Sequence, residues 1–271
     1  MTRPQIAFLS RATALRTGAL RAAAGLALLA LAACATPPPG PDAHLSPAVR
    51  QMYGPVQDGE FLIPAVPPQY LNDNTIRQDV AYWSDEDPGT IIVDPWTKHL
   101  YFIQPDNRAI RYGIAVGQEG RAFSGNAHIP YQRDWPNWQP TANMIRTMPE
   151  TYGPVRNGMP GGLENPLGAR ALYLYRGGRD TKYRIHGTPF PQSVGNATSA
   201  GCIRLFQQDI LDLAARVEPG TRVVVLREDE AGQGTVPPGT ELPAIVADAP
   251  LTGPASLPTT PTATAGPGNP S

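Results

Sequence analysis

The chain has 271 residues, of which 41% are apolar and 17% are charged, and its formal net charge is -1. This composition excludes a wholly disordered or collagen-like protein, and the small net charge provides no general attraction to nucleic acid. The 32 prolines and 27 glycines indicate that part of the chain lies outside a packed core. Only two cysteines occur, Cys34 and Cys202, which excludes a disulfide framework and a cysteine-rich zinc site.

Residues 1–34 have the pattern of a secretory signal. Four arginines and no acidic residue accompany an apolar run over 22–33, which is shorter than the ~20 residues of a membrane-spanning helix. The tetrapeptide LAAC ending at Cys34 resembles the bacterial lipobox, which implies that Cys34 becomes the lipidated N-terminus of the mature protein. Ala35 after the cysteine resembles the pattern that sorts such lipoproteins to the outer membrane. An ordinary signal, in which Cys34 is incidental, stays open as the alternative.

Proline content divides the rest of the chain. Residues 35–70 are predicted to form a Pro-rich linker, in which the apolar residues 61–63 are able to pack back onto the folded part. A short lead-in segment, 71–88, precedes the predicted folded domain at 89–228. Residues 229–271 contain no lysine, arginine or aromatic residue and are predicted to form a disordered Pro/Thr/Gly-rich tail.

Between residues 89 and 228, short apolar runs alternate with turn residues, as in β-rich domains. The first three runs predict a meander of strands. Apolar residues at i, i+3, i+4 and i+7 predict one helix over 210–217, which Pro219 and Gly220 end. The predicted strands are 90–93, 98–103, 109–116, 171–175, 183–186 and 222–226. We therefore expect a single mostly-β domain of ~140 residues with one or two short helices.

A histidine at the end of a predicted strand and a cysteine shortly before the predicted helix form the candidate site. His186 ends the strand at 183–186, and a loop then leads to Cys202. The nucleophilic form of cysteine is the thiolate, which a histidine partner or a helix N-terminus favours. Gly201 before the cysteine lets backbone amides turn toward a developing oxyanion. Without such neighbours, a lone buried cysteine is usually an inert small apolar residue.

Two separated motifs contain these residues: His-Gly-Thr at 186–188 and Ser-Ala-Gly-Cys-Ile-Arg-Leu at 199–205. Together they resemble the L,D-transpeptidase catalytic domain of the YkuD type, whose hallmark is a His-Gly pair followed by Ser-x-Gly-Cys, an apolar residue and Arg. Segments 159–162 and 165–168 are similar to the substrate-side segment of that family. The resemblance covers roughly residues 89–228. It implies a mostly-β sandwich or barrel, here flanked by disordered Pro-rich segments.

The resemblance implies a role for each matching residue. Cys202 would be the acylated nucleophile, and His186 would be the base that takes its proton. Gly187 would orient the histidine through its main-chain carbonyl, so that no aspartate partner is required. The backbone N–H groups of Gly201 and Cys202 would donate hydrogen bonds to the oxyanion.

The other motif residues have less specific roles. Ser199 and Arg204 would hold the nucleophile loop or bind a substrate carboxylate, and a purely structural role for Arg204 stays open. Ala200 stands where many family members have a second histidine. This departure argues against any substrate contact or proton transfer that depends on the second histidine, but it does not affect the pair of Cys202 and His186.

The activity that the resemblance implies is acyl transfer on the stem peptides of peptidoglycan. Cys202 would release a terminal D-alanine and form a thioester with the residue before it. A stem amine as acceptor would give a 3→3 cross-link, water would make the protein an L,D-carboxypeptidase, and a protein lysine would attach that protein to the wall. The chemistry needs no metal and no cofactor. The implied location is the periplasmic side of the bacterial envelope, with the lipid on Cys34 contacting the membrane.

Two other classes of protein stay open from the sequence. A papain-like wall hydrolase also uses cysteine and histidine, but its cysteine usually comes first in the chain, whereas here His186 precedes Cys202. A non-catalytic wall-binding lipoprotein would keep the fold and tolerate loss of the thiol.

The remaining aromatic and histidine residues carry weaker expectations. A lid or wall of the substrate cleft and a simple hydrophobic anchor are both consistent with the aromatic cluster around Trp135. The members of this cluster are Trp135, Trp138, Tyr131 and, nearby, Arg133. Surface or packing positions are expected for His44, His99 and His128.

Overall fold

The computed structural model of the protein describes residues 45–117, 123–198 and 201–242. The predicted signal with Cys34, the loop residues Ser199 and Ala200, and most of the predicted tail lie outside the described residues. Within the described ranges, no helix combines the length and the apolar character needed to cross a membrane.

The described part of the chain consists mainly of short strands, which confirms the predicted mostly-β fold. In chain order the strands are β1 (Val56–Asp58), β2 (Phe61–Ile63), β3 (Gln78–Ala81), β4 (Ile91–Asp94), β5 (His99–Gln104), β6 (Arg108–Gly113), β7 (Ala115–Gly117), β8 (Gly125–Ile129), β9 (Gln132–Asp134), β10 (Arg170–Arg176), β11 (Arg179–Gly187), β12 (Ala197–Thr198), β13 (Ile203–Leu205) and β14 (Thr221–Val225). The α-helices are α1 (Pro47–Met52), α2 (Ala142–Thr147), α3 (Pro149–Tyr152) and α4 (Gln207–Ala214). Only α4 matches a predicted helix, so the sequence pattern missed the other three.

Most strands join one large sheet, whose strand order is β12-β7-β13-β11-β10-β8-β14-β4-β5-β6-β3, with β9 beside β10. The predicted meander is the β4-β5-β6 part of this sheet, where neighbouring strands are antiparallel. By contrast, β11 and β13 are parallel to each other. This parallel pair brings the segments that contain His186 and Cys202 side by side.

The main core lies against one face of the sheet, under α4. The helix contributes Ile210 and Leu213, both fully buried. On the opposite side of β4 and β5, a second cluster contains Ile92, Tyr101 and Leu226. Both faces of β4 are therefore covered, which accounts for its continuous apolar sequence.

The residues from 45 to 70, predicted as a linker, are packed onto the domain. They include α1 and the β1-β2 hairpin. Tyr53 is 1% exposed, and its ring meets that of Phe206 edge-on with the centroids 5.5 Å apart. Its hydroxyl donates to the carboxylate of Asp209 at 3.0 Å. The Pro-rich composition concealed this packing, because a few widely spaced side chains fix the segment.

The first part of the predicted tail is packed as well. The N–H of Gly232 donates to the buried carboxylate of Asp94 at 2.7 Å, and the carbonyl of Gly234 accepts from the N–H of Trp83 at 2.8 Å. These contacts use backbone groups, so a composition without basic or aromatic residues did not reveal them. The folded part therefore continues past the predicted boundary at residue 228.

The single strand predicted at 109–116 is two strands. β6 ends at Gly113 and β7 begins at Ala115, and between them the N–H of Ile114 donates to the carbonyl of Lys98 at 3.0 Å. β6 pairs with β5, whereas β7 pairs with β13. The chain thus crosses to another part of the sheet within an unbroken apolar run, which is why periodicity did not show the break.

Candidate active site

The parallel pair of β11 and β13 brings the two predicted motifs together. His186 on β11 is the register partner of Arg204 on β13. Because side chains alternate along a strand, these two share one face of the sheet, while their neighbours Ile185 and Ile203 enter the core on the other. Cys202 lies directly before β13, two residues from Arg204, and is half-buried. The alternation predicts its side chain on the same face as His186.

His186 is 3% exposed, and the next residue along the chain fixes its ring. Its Nδ1 lies 2.6 Å from the carbonyl oxygen of Gly187. A carbonyl oxygen only accepts hydrogen bonds, so in the neutral ring Nδ1 carries the proton and Nε2 is left as an acceptor. Burial, followed by the charge of Arg204, lowers the pKa of His186 to about 3, while the carbonyls of Gly187 and Leu167 oppose this. The resting imidazole is therefore neutral, with Nε2 free of a proton.

Two arginines act electrostatically on the cysteine. Burial lowers the pKa of Arg204, and interaction with Cys202 and Tyr152 acts in the opposite direction. Arg184 of β11 also interacts with Cys202; burial opposes its charge, but pairing with Asp180 raises its pKa. The two hydrogen bonds of that pair are 2.7 and 2.8 Å long. Positive charge beside a cysteine favours the thiolate over the thiol.

The side chain of Gln207, the first residue of α4, fixes the backbone next to the histidine. Its Oε1 accepts a hydrogen bond from the N–H of Ala169 at 2.9 Å. A Cβ atom on Gly187 would lie 2.3 Å from this oxygen, and a Cβ atom on Gly168, where φ is +63°, would lie 2.5 Å from it. Packing against one glutamine therefore requires glycine at both positions. In this way α4 sets the place of the carbonyl that orients His186.

Asn165 shapes the segment that leads into β10. Its side chain is almost fully buried, and its amide donates to the carbonyls of Pro136 at 3.0 Å and Pro160 at 2.8 Å. Its Oδ1 accepts from the N–H of Leu167 at 2.9 Å. The carbonyl of Leu167 in turn acts to raise the pKa of His186. Asn165 therefore acts on the histidine indirectly, through Leu167.

The segment that contains α2 and α3 is tied down by Trp135 and reaches the site through Tyr152. The indole N–H of Trp135 donates to the carboxylate of Asp58 at 2.8 Å, so this tryptophan is an anchor rather than a free wall of a cleft. The ring of Trp138 lies 6.1 Å from that of Tyr152. Tyr152 interacts electrostatically with Arg204, which places the end of α3 next to the candidate site.

The other two histidines in the described ranges lie elsewhere in the sheet. His99 on β5 is within 3.1 Å of the carbonyl of Asn74, and burial lowers its pKa to about 4. Its predicted packing role is confirmed. His128 on β8 lies beside Tyr175, with ring centroids 6.3 Å apart.

The structure brings four predicted site residues onto adjacent strand ends: His186, Gly187, Cys202 and Arg204. Gly201 directly precedes the cysteine, and Ser199 lies outside the described residues. Their catalytic roles remain predictions. In the described part of the chain, no group of three or more His, Cys, Asp or Glu side chains could hold a metal ion.

Sequence analysis missed two supporting residues. It assigned no role to Asn165, although the similarity of segment 165–168 to the family pattern pointed to its neighbourhood. Nothing in the sequence pointed to Gln207, because its contacts depend on how α4 meets the end of β11.

Comparison with known proteins supports the same assignment. Residues 88–225 match the YkuD family model, described as the L,D-transpeptidase catalytic domain. The probable L,D-transpeptidase ErfK/SrfK of Escherichia coli strain K12 is 30% identical over 164 residues, which cover 59% of this chain and 48% of that protein. The putative L,D-transpeptidase YkuD of Bacillus subtilis strain 168 is 34% identical over 125 residues, covering 45% of this chain and 71% of that protein. The chain thus spans about half the length of the Escherichia coli relative.

The likenesses to solved structures have low TM-scores. A probable carnitine operon oxidoreductase from Brucella melitensis is 46% identical, covers 58% of this chain and 98% of its own, and has a TM-score of 0.40. The catalytic domain of an Enterococcus faecium L,D-transpeptidase is 18% identical, covers 53% of this chain and 100% of its own, and has a TM-score of 0.35. At these TM-scores neither likeness supports a conclusion, and each name describes only its own protein. The family match covers both motifs and the strands that hold them, and the chain therefore belongs to the YkuD family of L,D-transpeptidase catalytic domains.

Proposed function

We propose that the protein is a cysteine acyltransferase of the L,D-transpeptidase type that acts on peptidoglycan stem peptides. The observation that carries the proposal is the fixed tautomer of His186, whose Nδ1 is held by Gly187 at 2.6 Å. This leaves Nε2 as a proton acceptor on the sheet face where the strand pairing puts the Cys202 segment. Membership of the family supports the same class of reaction.

In the first half of the reaction, Nε2 of His186 takes the proton of the Cys202 thiol. The thiolate attacks the carbonyl carbon of the residue before the terminal D-alanine, and a C–S bond forms. The N–H groups of Gly201 and Cys202 stabilise the negative oxygen. The C–N bond then breaks, His186 returns its proton to the leaving amino group, and D-alanine departs. The product is a thioester on Cys202.

In the second half, an acceptor attacks the thioester carbonyl and the C–S bond breaks. His186 takes a proton from the acceptor and returns it to the sulfur. A stem amine gives a 3→3 cross-link, water gives a shortened stem, and a protein lysine gives a protein attached to the wall. The same pair of side chains serves all three acceptors.

The charges around the site favour a negative sulfur. The guanidinium groups of Arg184 and Arg204 both interact with Cys202. Burial, with the charges of these two arginines adding to its effect, makes the resting His186 a weak base, with a pKa of about 3. A thiolate next to the ring raises the affinity of the imidazole for a proton, so sulfur ionisation and ring protonation assist each other. We also propose that Arg204 binds a carboxylate of the donor peptide.

The proposed location is the bacterial envelope, with Cys34 carrying a lipid and the catalytic domain on the periplasmic side. This part of the proposal rests on the lipobox-like sequence at the end of residues 1–34. Lipid anchoring would keep the enzyme beside an insoluble polymer substrate.

The test is incubation of the full-length protein in detergent with muropeptides that carry tetrapeptide stems, followed by mass spectrometry of the products. We expect release of D-alanine together with a cross-linked dimer or a shortened stem, and no turnover by Cys202→Ala. Ser193→Ala is a suitable control, since Ser193 is a small hydroxyl residue with a purely local hydrogen bond to the carbonyl of Phe190 at 2.7 Å. The absence of D-alanine release, under conditions in which a known transpeptidase is active, would contradict the proposal.

A further inference from the structure

One face of the sheet carries a straight row of residues from the candidate active site to β9. Arg204 on β13 is the register partner of His186 on β11. His186 pairs in turn with Ala171 on β10. Ala171 pairs on its other side with Arg133 on β9. Two steps between neighbouring strands separate His186 from Arg133, a distance of about 10 Å. Ala171, the residue between them, has a small side chain and is fully buried. Arg133 itself is exposed.

The neighbouring row on the same face is a stack of aromatic rings and guanidinium groups. Tyr173 is the register partner of Arg184, whose guanidinium lies 4.1 Å from the centre of the tyrosine ring. Tyr173 also stacks on Tyr131 with the ring centroids 4.5 Å apart. The Arg133 guanidinium lies 5.7 Å from the Tyr131 ring centre and 5.9 Å from the Tyr173 ring centre. Two stacked rings therefore support the charged end of Arg133.

Arg133 differs from Arg184, on the same face, and from Arg170, next to Ala171 on β10, in its charge balance. Arg170 pairs with Asp58 at 2.7 Å, and Arg184 pairs with Asp180 at 2.7 Å. Within the described residues, no carboxylate lies within ion-pair distance of Arg133, although its side chain is exposed. A guanidinium that is held on aromatic rings and lacks an acidic partner is suited to bind a carboxylate through two parallel hydrogen bonds.

We infer that Arg133, supported by Tyr131 and Tyr173, is a subsite for a carboxylate of the acyl-donor peptide, two strands away from His186. The ligand class is an acidic peptide in extended conformation: one residue of such a chain spans about 3.3 Å, and the long side chain of Arg133 reaches back from β9 toward the acidic residue directly before the acylated position. The inference rests on the proposed function and deepens it. Arg133 is a specificity-determining residue that leaves the chemical step to Cys202 and His186.

The test compares two synthetic stem tetrapeptides, which differ only in whether the acidic residue before the acylated position is free or amidated. Binding is measured by calorimetry on full-length Cys202→Ala in detergent, so that turnover is not needed. We expect amidation to weaken binding about tenfold when Arg133 is present and to have little effect in the double variant with Arg133→Gln. Arg133→Lys should restore part of the difference, because it keeps the charge but loses the planar two-pronged geometry.

Arg179→Gln is the matched control, since Arg179 is another exposed arginine, at the start of β11. It should leave the tenfold difference unchanged. In the enzyme with Cys202 intact, Arg133→Gln should raise KM for the free-acid peptide and leave kcat unchanged. An equal effect of amidation with and without Arg133, or no binding of either peptide, would overturn the inference. If the protein shows no transpeptidase activity but binding depends on both Arg133 and the free carboxylate, the proposed function fails while the carboxylate subsite stands.

Discussion

Replacing Tyr53 by phenylalanine tests whether the segment before the family domain is part of the folded unit. The Tyr53 hydroxyl donates to both carboxylate oxygens of Asp209, at 3.0 and 3.1 Å, and accepts from the N–H of Arg77 at 2.5 Å. Asp209 is completely buried, so water cannot replace the lost donor. A hydrogen bond to a buried charged group contributes about 1.5–3 kcal/mol, and the orphaned N–H adds to the loss. We expect Tyr53→Phe to lower the free energy of unfolding by about 3 kcal/mol.

The size of this loss should depend on pH. Burial raises the pKa of Asp209 from 3.8 to about 7. The folded chain therefore holds this proton more tightly than the unfolded chain, and the associated stability is present below about pH 4 and lost as the pH rises through about 7. The Tyr53 hydrogen bond favours the charged form of Asp209. Its removal should therefore cost more at about pH 8 than at about pH 5.5.

Urea unfolding followed by tryptophan fluorescence at these two pH values measures both effects. Tyr70→Phe is the matched control, because Tyr70 packs at the edge of the same apolar cluster and its hydroxyl has no hydrogen bond with the described residues. We expect this control to lose less than about 1 kcal/mol at either pH. Equal losses for Tyr53→Phe and Tyr70→Phe, or a loss for Tyr53→Phe that does not change with pH, would refute the reasoning.

Three further predictions concern the site. Gly187→Ala places a Cβ atom 2.3 Å from the Gln207 oxygen, and the shifted histidine should lower kcat/KM at least about a hundredfold. The control is Gly178→Ala, in a hairpin turn where φ is +75° and no atom crowds the added Cβ. It strains only the turn and should keep kcat/KM near the wild-type value. Burial and neighbouring charge lower the pKa of His186 to about 3. A plot of kcat/KM against pH should therefore show no inflection between pH 5 and 7, where an ordinary histidine titrates with a pKa of 6.5. A fall in kcat/KM with a midpoint near 6.5 would contradict the assignment. Asp58→Asn weakens the mostly buried ion pair with Arg170 and the hydrogen bond from Trp135, and should lower the free energy of unfolding in urea by about 1 kcal/mol. No change would show that the anchor contributes nothing.

Sequence reasoning located the elements whose local pattern matches their environment. The meander of β4, β5 and β6 and the helix α4 have regular apolar spacing, because one face or both faces are buried. β9 and β13 were missed for the opposite reason. β9 consists of three exposed polar residues, Gln132–Asp134, and β13 has only three residues, so neither shows a period. Both are strands because of their neighbours in the sheet.

The candidate site, too, was predicted from the sequence only in part. His186 and Cys202 were predicted because they belong to short motifs with a chemical meaning. The family resemblance also named the carbonyl of Gly187, which lies 2.6 Å from Nδ1 of His186. The supporting contacts of Gln207 and the buried pair of Tyr53 and Asp209 join segments far apart in the chain. No local pattern encodes such contacts, since they depend on how the finished elements approach each other.

The most direct test of the central claim is detection of the acyl-enzyme. Full-length protein is mixed with a tetrapeptide-stem substrate, quenched in acid within seconds, digested and mapped by mass spectrometry. The account predicts a mass increase equal to the stem without its D-alanine, on the peptide that contains Cys202 and not on a peptide that contains Cys34. The adduct should be absent from Cys202→Ala. Release of D-alanine at the wild-type rate by Cys202→Ala, or an adduct on any other residue, would contradict it.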